Sequence, residues 1–104
     1  NKKISMTAKV NWSTNALYDL QKVFAFIAQD NVKNAHLVAD RIENTVELLA
    51  VTPFGRPGRM ARTYEAVVPR TPFIVVYSLG VDGVINIVRV IHGARNWESG
   101  EWPE

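Results

Sequence analysis

The sequence predicts an α+β fold: an N-terminal strand, then an antiparallel two-helix hairpin packed on a curved, mainly antiparallel four-stranded sheet. Three observations lead there. Apolar residues recur at helical spacing through the first half, strand formers fill the second half, and "TPFGRPGR" breaks the pattern between them. Helices followed by strands segregate onto separate layers rather than alternating around a parallel sheet.

"KVNW" alternates polar and apolar residues and reads as the first strand, to be paired at a sheet edge or beside the last strand. Ser13 follows as an N-cap, its hydroxyl able to accept from the free amides of a first helical turn. Leu17, Leu20, Phe24 and Ile27 then recur at helical spacing, widened by Ala16 and Val23. The helix stops around "QDN", and Asn31 caps a second one. Ala35, Val38, Ala39, Ile42, Val46 and Leu49 make its apolar face, with Lys33, Asp40, Arg41, Glu43 and Glu47 on the wetter side. So short a connection forces an antiparallel hairpin.

"TPFGRPGR" has two prolines and two glycines and reads as a loop. "RTYEAVV", "FIVVYSL" after Pro72 and "VINIVRVI" after the turn "GVDG" are three strands with short connections, an antiparallel meander. The 104 residues suit one domain, with residues 1–7 expected to be a flexible or non-native extension and 99–104 a C-terminal tail. Met6 is a candidate native start.

Net charge is only +2 although the pI is 9.2. Average charge therefore does not announce a nucleic-acid binder, but Arg56, Arg59, Arg62 and Arg70 crowd one stretch, and Arg89 and Arg95 follow. Cysteine is absent, which excludes disulfides and thiolate chemistry. No apolar run approaches the roughly 20 residues of a spanning helix, so the chain reads as soluble and cytoplasmic, without a membrane partner.

The only histidines, His36 and His92, lie far apart and lack the H-E-x-x-H arrangement, so no zinc or other metal is expected, and no cofactor. There is no nucleophile elbow and no phosphate loop; in "GRPGR", Pro57 removes an amide that a phosphate nest needs. What remains is arginines with one carboxylate, Glu65, one tyrosine, Tyr77, and His92. Metal-free RNA cleavage needs a base for the 2′-hydroxyl, a cationic clamp and an acid for the leaving oxygen, and this set contains such groups. Each has a plainer reading. Arg89 among isoleucines snorkels or pairs with a carboxylate, for which Glu65 is available. Tyr77 packs in the core, His92 terminates a strand, and His36 sits on the surface. Residues 89 and 92 differ by an odd number, so a regular strand sends them to opposite faces unless it bulges or ends near Ile91.

"GRPGR…YEAVVPRTPFIVVYSL…VINIVRVIHGARNW" resembles the RelE/ParE superfamily of toxins from bacterial toxin–antitoxin pairs. Upstream, "W…A..DL..V..FIA.DN..NA..VADRI…V..L...P" is similar to the helical hairpin of the same family, and the likeness spans about residues 8 to 98. The resemblance implies a small antitoxin partner whose C-terminal segment wraps the toxin. RelE-like members cut mRNA in the ribosomal A site and ParE-like members poison DNA gyrase, so fold does not decide the target. On the RelE-like reading, Arg59 and Arg62 clamp phosphate within a basic set that includes Arg56 and Arg95. Arg89 stabilises the transition state, and His92 is acid or base, helped by Glu65. Against it, the C-terminal tyrosine of several active members has no match unless Trp97 substitutes, and no lysine follows Lys33. "RVIHGARNW" and "GRPGR" look closer to ParE-like proteins. The sequence ranks ribosome-dependent mRNA cleavage first, gyrase inhibition without catalysis as the alternative, and a binding module without toxicity third.

Overall fold

The computed structural model describes residues 8–93. In chain order the elements are β1 (Val10–Trp12), α1 (Thr14–Ala28), α2 (Val32–Val51), β2 (Arg56–Pro57), β3 (Tyr64–Val67), β4 (Phe73–Leu79) and β5 (Ile85–His92), with a 3₁₀ turn at Val81–Gly83 before β5. The α+β architecture is as the sequence predicts, and both helices begin where their caps lie. Ser13 Oγ accepts from the Ala16 N–H and Asn31 Oδ1 from the Asn34 N–H, each at 2.9 Å.

The sheet has five strands rather than four, ordered β1-β5-β4-β3-β2. The extra strand lies in "GRPGR", expected to be loop: Arg56 and Pro57 pair antiparallel with Glu65 and Tyr64. A proline is tolerated there because the strand is at the edge and needs no outward amide. β1 is at the opposite edge and runs parallel to β5. Both placements foreseen for it therefore hold together, since β5 is the last strand and β1 closes the sheet beside it. The other neighbours are antiparallel.

One sheet face is covered by the helices. Val75 and Tyr77 of β4, Ile85, Ile87 and Val90 of β5, and Ala66 and Val68 pack against Ala16, Val38, Ile42, Val46 and Leu49. Each of the fully buried aliphatic side chains contributes about 1.5–3 kcal/mol by leaving water. Ile74, Val76 and Ile91, with Val88 against them, form a second, smaller apolar cluster from the alternate strand positions.

A bulge decides what β5 presents. Val76 pairs with Arg89 but Tyr77 with Ile87, leaving Val88 as the extra residue. In a regular strand residue 89 would follow Ile85 and Ile87 into the core; the bulge shifts the alternation and Val90 packs there instead. Because the irregularity precedes Arg89, it does not bring residues 89 and 92 onto one face.

The helix stripes differ from expectation at three positions. Leu17 is exposed rather than packed, while Asp19 and Thr45 are buried. Thr45 is accommodated because its hydroxyl donates to the Arg41 carbonyl at 3.0 Å. No helix among the described residues is long and apolar enough to cross a membrane.

Candidate functional site

Asp19 occupies a position on the apolar stripe of α1, between Ala16 and Val23, and would be unstable there without partners. It has three. Arg89 Nε and Nη2 both donate to its carboxylate at 2.7 Å, and the Val90 N–H donates at 3.0 Å. β1 ends at Trp12, opposite Ile87, so beyond that point β5 has no strand on this side among the described residues. The carboxylate takes the free amide in place of a strand, and Ser13 Oγ donates to the Val88 carbonyl at 2.9 Å. Arg89 is 9% exposed and Asp19 6%. The hydrogen bonds that Arg89 donates to Asp19 push its pKa up further, although burial alone would lower it. Glu65, the partner foreseen for Arg89, is not the partner: it stands two strands away, roughly 10 Å at the usual strand spacing. Arg89 Nη1 is buried without a hydrogen-bond partner.

Glu65 anchors the basic loop. Its carboxylate accepts from the Arg59 N–H at 3.0 Å, from Arg59 Nε at 2.8 Å and from Nη2 at 3.3 Å, and Arg56 Nη2 lies 3.5 Å away. Gly55 and Gly58 let the loop lie this close: a Cβ on Gly55 would sit 2.5 Å from the Glu65 carbonyl oxygen. Burial pushes the Glu65 carboxyl up, but the Arg59 amide and guanidinium, with Arg56, outweigh it and hold the pKa below the ordinary 4.5. With the folded value below the unfolded one, the stabilisation from Glu65 is complete above the unfolded pKa and is lost as pH falls through the folded value. Thermal melts from neutral to acid pH should therefore show Glu65→Gln less stable than wild type at pH 7, with the two curves converging in acid. Parallel curves would mean that the ionised carboxylate contributes nothing.

Tyr77 is buried in the core, its hydroxyl donating to the Phe54 carbonyl and its ring stacked on Tyr64 at 5.6 Å. Burial, with Tyr64 nearby, raises its pKa. His36 lies on the surface, edge-on to Phe24. His92 is half-buried at the end of β5, opposite Phe73 and edge-on to its ring at 5.4 Å.

The sheet separates the sequence-predicted site residues. Glu65, holding Arg59 and Arg56, pairs with Val76, whereas His92 pairs with Phe73. Three residues along β4 and two strands across amount to roughly 14 Å between Cα positions. The arginine cluster also divides. Arg62 precedes β3 and Arg70 follows it, so Arg56, Arg59 and Arg62 gather at one end and Arg70 at the other, where Arg41 Nη1 donates to the Arg70 carbonyl at 3.3 Å. Arg95 and Trp97 lie outside the described residues. Among the described residues no three of His, Cys, Asp and Glu converge as a metal site. A mainly apolar groove of about 550 Å³ runs between β1, α1 and α2, lined by Val10, Trp12, Leu20 and Val46 with Glu43 and Glu47 at its rim. Asp19 was missed from sequence, and its signal was there: an acidic residue on an apolar helical stripe.

Residues 10–97 match the family model described as the ParE toxin of the type II toxin-antitoxin system parDE. A putative toxin, Y4kP, of Sinorhizobium fredii is 34% identical over 90 residues, covering 86% of this chain and 92% of the relative. Toxin RelE2 of Caulobacter vibrioides is 34% identical over 89 residues, covering 85% and 98%. Among solved structures, the chromosomal ParDE system from P. aeruginosa superposes with a TM-score of 0.74 at 20% identity, covering 85% of this chain and 98% of that one. The toxin–antitoxin complex RelBE2 of Mycobacterium tuberculosis gives 0.59 at 23% identity, covering 91% and 100%. The structural likenesses concern the fold; the family follows from the model match and the two relatives. This chain belongs to the ParE toxin family and is the toxin component of a type II toxin–antitoxin system.

Proposed function

We propose that this toxin acts by binding DNA gyrase, without bond-breaking chemistry of its own, and is neutralised by a cognate antitoxin. The observation that carries this reading is the separation of the groups a nuclease would need. Arg89 is bound to Asp19, Glu65 is bound to Arg59 and Arg56, and His92 stands at another end of the sheet. A base must lie within about 3 Å of the proton it removes. Glu65, which holds Arg59, pairs with Val76 and His92 with Phe73, and these positions lie on opposite faces of the sheet. A gyrase inhibitor needs only a complementary surface and no convergent acid–base pair.

Ribosome-dependent mRNA cleavage, ranked first from sequence, keeps the support of the RelE2 relative and of a half-buried histidine at the strand end. The test compares both activities with one variant. The wild-type toxin should accumulate gyrase-linked breaks in plasmid DNA, and His92→Ala should retain this activity within about twofold. Cleavage of ribosome-bound mRNA by wild type, abolished in a folded His92→Ala and unaccompanied by gyrase breaks, would overturn the proposal.

A further inference from the structure

Both ends of β3 are built alike. Before it, Met60 to Thr63 form a turn closed by the Thr63 N–H on the Met60 carbonyl at 3.3 Å. After it, Val68 to Thr71 form another, closed by the Thr71 N–H on the Val68 carbonyl at 3.2 Å. The third residue of each turn is an arginine at positive φ, Arg62 at 67° and Arg70 at 62°. This is the position of a type II turn that favours glycine or asparagine, because a Cβ is strained there. The threonine that follows locks each turn. Thr63 Oγ1 donates to the Met60 carbonyl at 2.7 Å, and Thr71 Oγ1 to the Val68 carbonyl at 3.0 Å. Strain held in place by its surroundings directs attention to what the strained side chains do.

Arg62 and Arg70 are exposed, and among the described residues neither forms an ion pair, whereas Arg56, Arg59 and Arg89 all do. Their surroundings are basic. Residues 52–80 carry Arg56, Arg59, Arg62 and Arg70 against one carboxylate, Glu65, which Arg59 and Arg56 already neutralise. From Ser13 to Val51, by contrast, five carboxylates outnumber three lysines and arginines. Charge is therefore polarised between the helical hairpin and the outer edge of the sheet, and a polyanion is steered to the edge.

The spacing favours one kind of polyanion. From Thr63 to Val68 the chain runs five residue steps, roughly 17 Å at a strand rise of about 3.3 Å. That length matches about five base pairs of duplex at about 3.4 Å each. A duplex is stiff over such a distance, with a persistence length of about 150 base pairs. Cations fixed at two rigid turns can therefore meet its phosphates without bending it.

We infer that this outer edge, with Arg62 and Arg70 at the two ends of β3, contacts the phosphate backbone of the duplex DNA that gyrase holds. The inference deepens the gyrase reading and rests on it. The toxin then grips the enzyme-bound DNA as well as the enzyme. The contact reads no sequence, because phosphates carry none. It also accounts for arginine at two turn positions that glycine would fill with less strain.

The test uses the full chain, a 20-base-pair duplex and the double variant Arg62→Gly, Arg70→Gly. Glycine suits both turns, so the double variant should melt no lower than wild type while binding the duplex about tenfold more weakly. Loss of two phosphate contacts should make the slope of log affinity against log salt shallower by about 1.8. Gyrase-linked breaks in plasmid DNA should fall with the affinity. Unchanged duplex affinity in a folded double variant overturns the contact, as does a wild type that binds no duplex at about 50 mM salt. Gyrase-linked breaks made by that wild type would leave the gyrase reading standing. Tighter binding of wild type to a 20-nucleotide oligouridylate than to the duplex also overturns the contact, in favour of single-stranded RNA. A tenfold loss of antitoxin affinity with duplex affinity intact overturns it in favour of a protein partner. A wild-type chain that makes no gyrase-linked breaks overturns the gyrase reading, and with it the source of the DNA, whatever the duplex affinities.

Discussion

Asp19→Ala is expected to lower stability by about 3–5 kcal/mol, because it leaves a buried guanidinium without its counter-ion. Arg89 already has one nitrogen, Nη1, without a hydrogen-bond partner, and Asp19 is its only ion-pair partner among the described residues. The change also strips the Val90 N–H of its acceptor. A domain of this size holds about 5–15 kcal/mol in total, so the variant should lose a large share of its stability. Replacing both members, as Asp19→Leu with Arg89→Met, should recover most of the loss, since apolar residues of similar volume often substitute for a buried pair. Urea denaturation of the single and double variants measures both effects. A loss below about 1 kcal/mol in Asp19→Ala would mean that water reaches Arg89 and the pair is not structural. The result also bears on function: toxicity lost in Arg89→Ala carries no information about catalysis until folding has been measured.

Gly55→Val is expected to be comparably damaging, costing about 2–6 kcal/mol, as positive-φ strain of about 1–3 kcal/mol is added to steric displacement of about 1–3 kcal/mol. Gly55 has φ 119°, and a Cβ there would sit 2.5 Å from the Glu65 carbonyl oxygen and 3.1 Å from its carbon. Both neighbours are backbone, so relief requires β2 to leave β3. The pairing of Arg56 with Glu65 would be lost first, and the loop bearing Arg59 with it. Hydrogen exchange should quicken in β2 and β3 well before the helical hairpin is affected. Uniform loss of protection across the chain would show instead that this corner is no separate unit. Because gyrase contact is proposed for the surface and not for a catalytic pair, the variant also separates the basic loop's contribution to toxicity from that of the rest of the fold.

Much of the fold was legible in the sequence because its signals are local. Ser13 and Asn31 cap their helices by bonds to residues three positions on, and the apolar spacing of Ala35, Val38, Ile42, Val46 and Leu49 is the buried face of α2. β2 was not legible. Two residues, one of them proline, carry no strand periodicity, and only Gly55's close approach to Glu65 makes a ladder of them.

The candidate site was legible as a collection of residue types and not as an arrangement. Arg59 with Glu65 is six residues apart in sequence, whereas Arg89 with Asp19 is 70 apart and depends on where α1 crosses β5. The bulge at Val88 is equally non-local, since register is defined only against β4. The sequence by itself determined the α+β class, the helical hairpin, the meander and the toxin family, because caps, periodicity and turn residues act over a few positions. Only the tertiary structure decided which carboxylate neutralises which arginine and which end of the sheet each cation occupies. Those choices follow from strand register and helix crossing, and burial forces each charged group to take whichever partner the packing brings within reach.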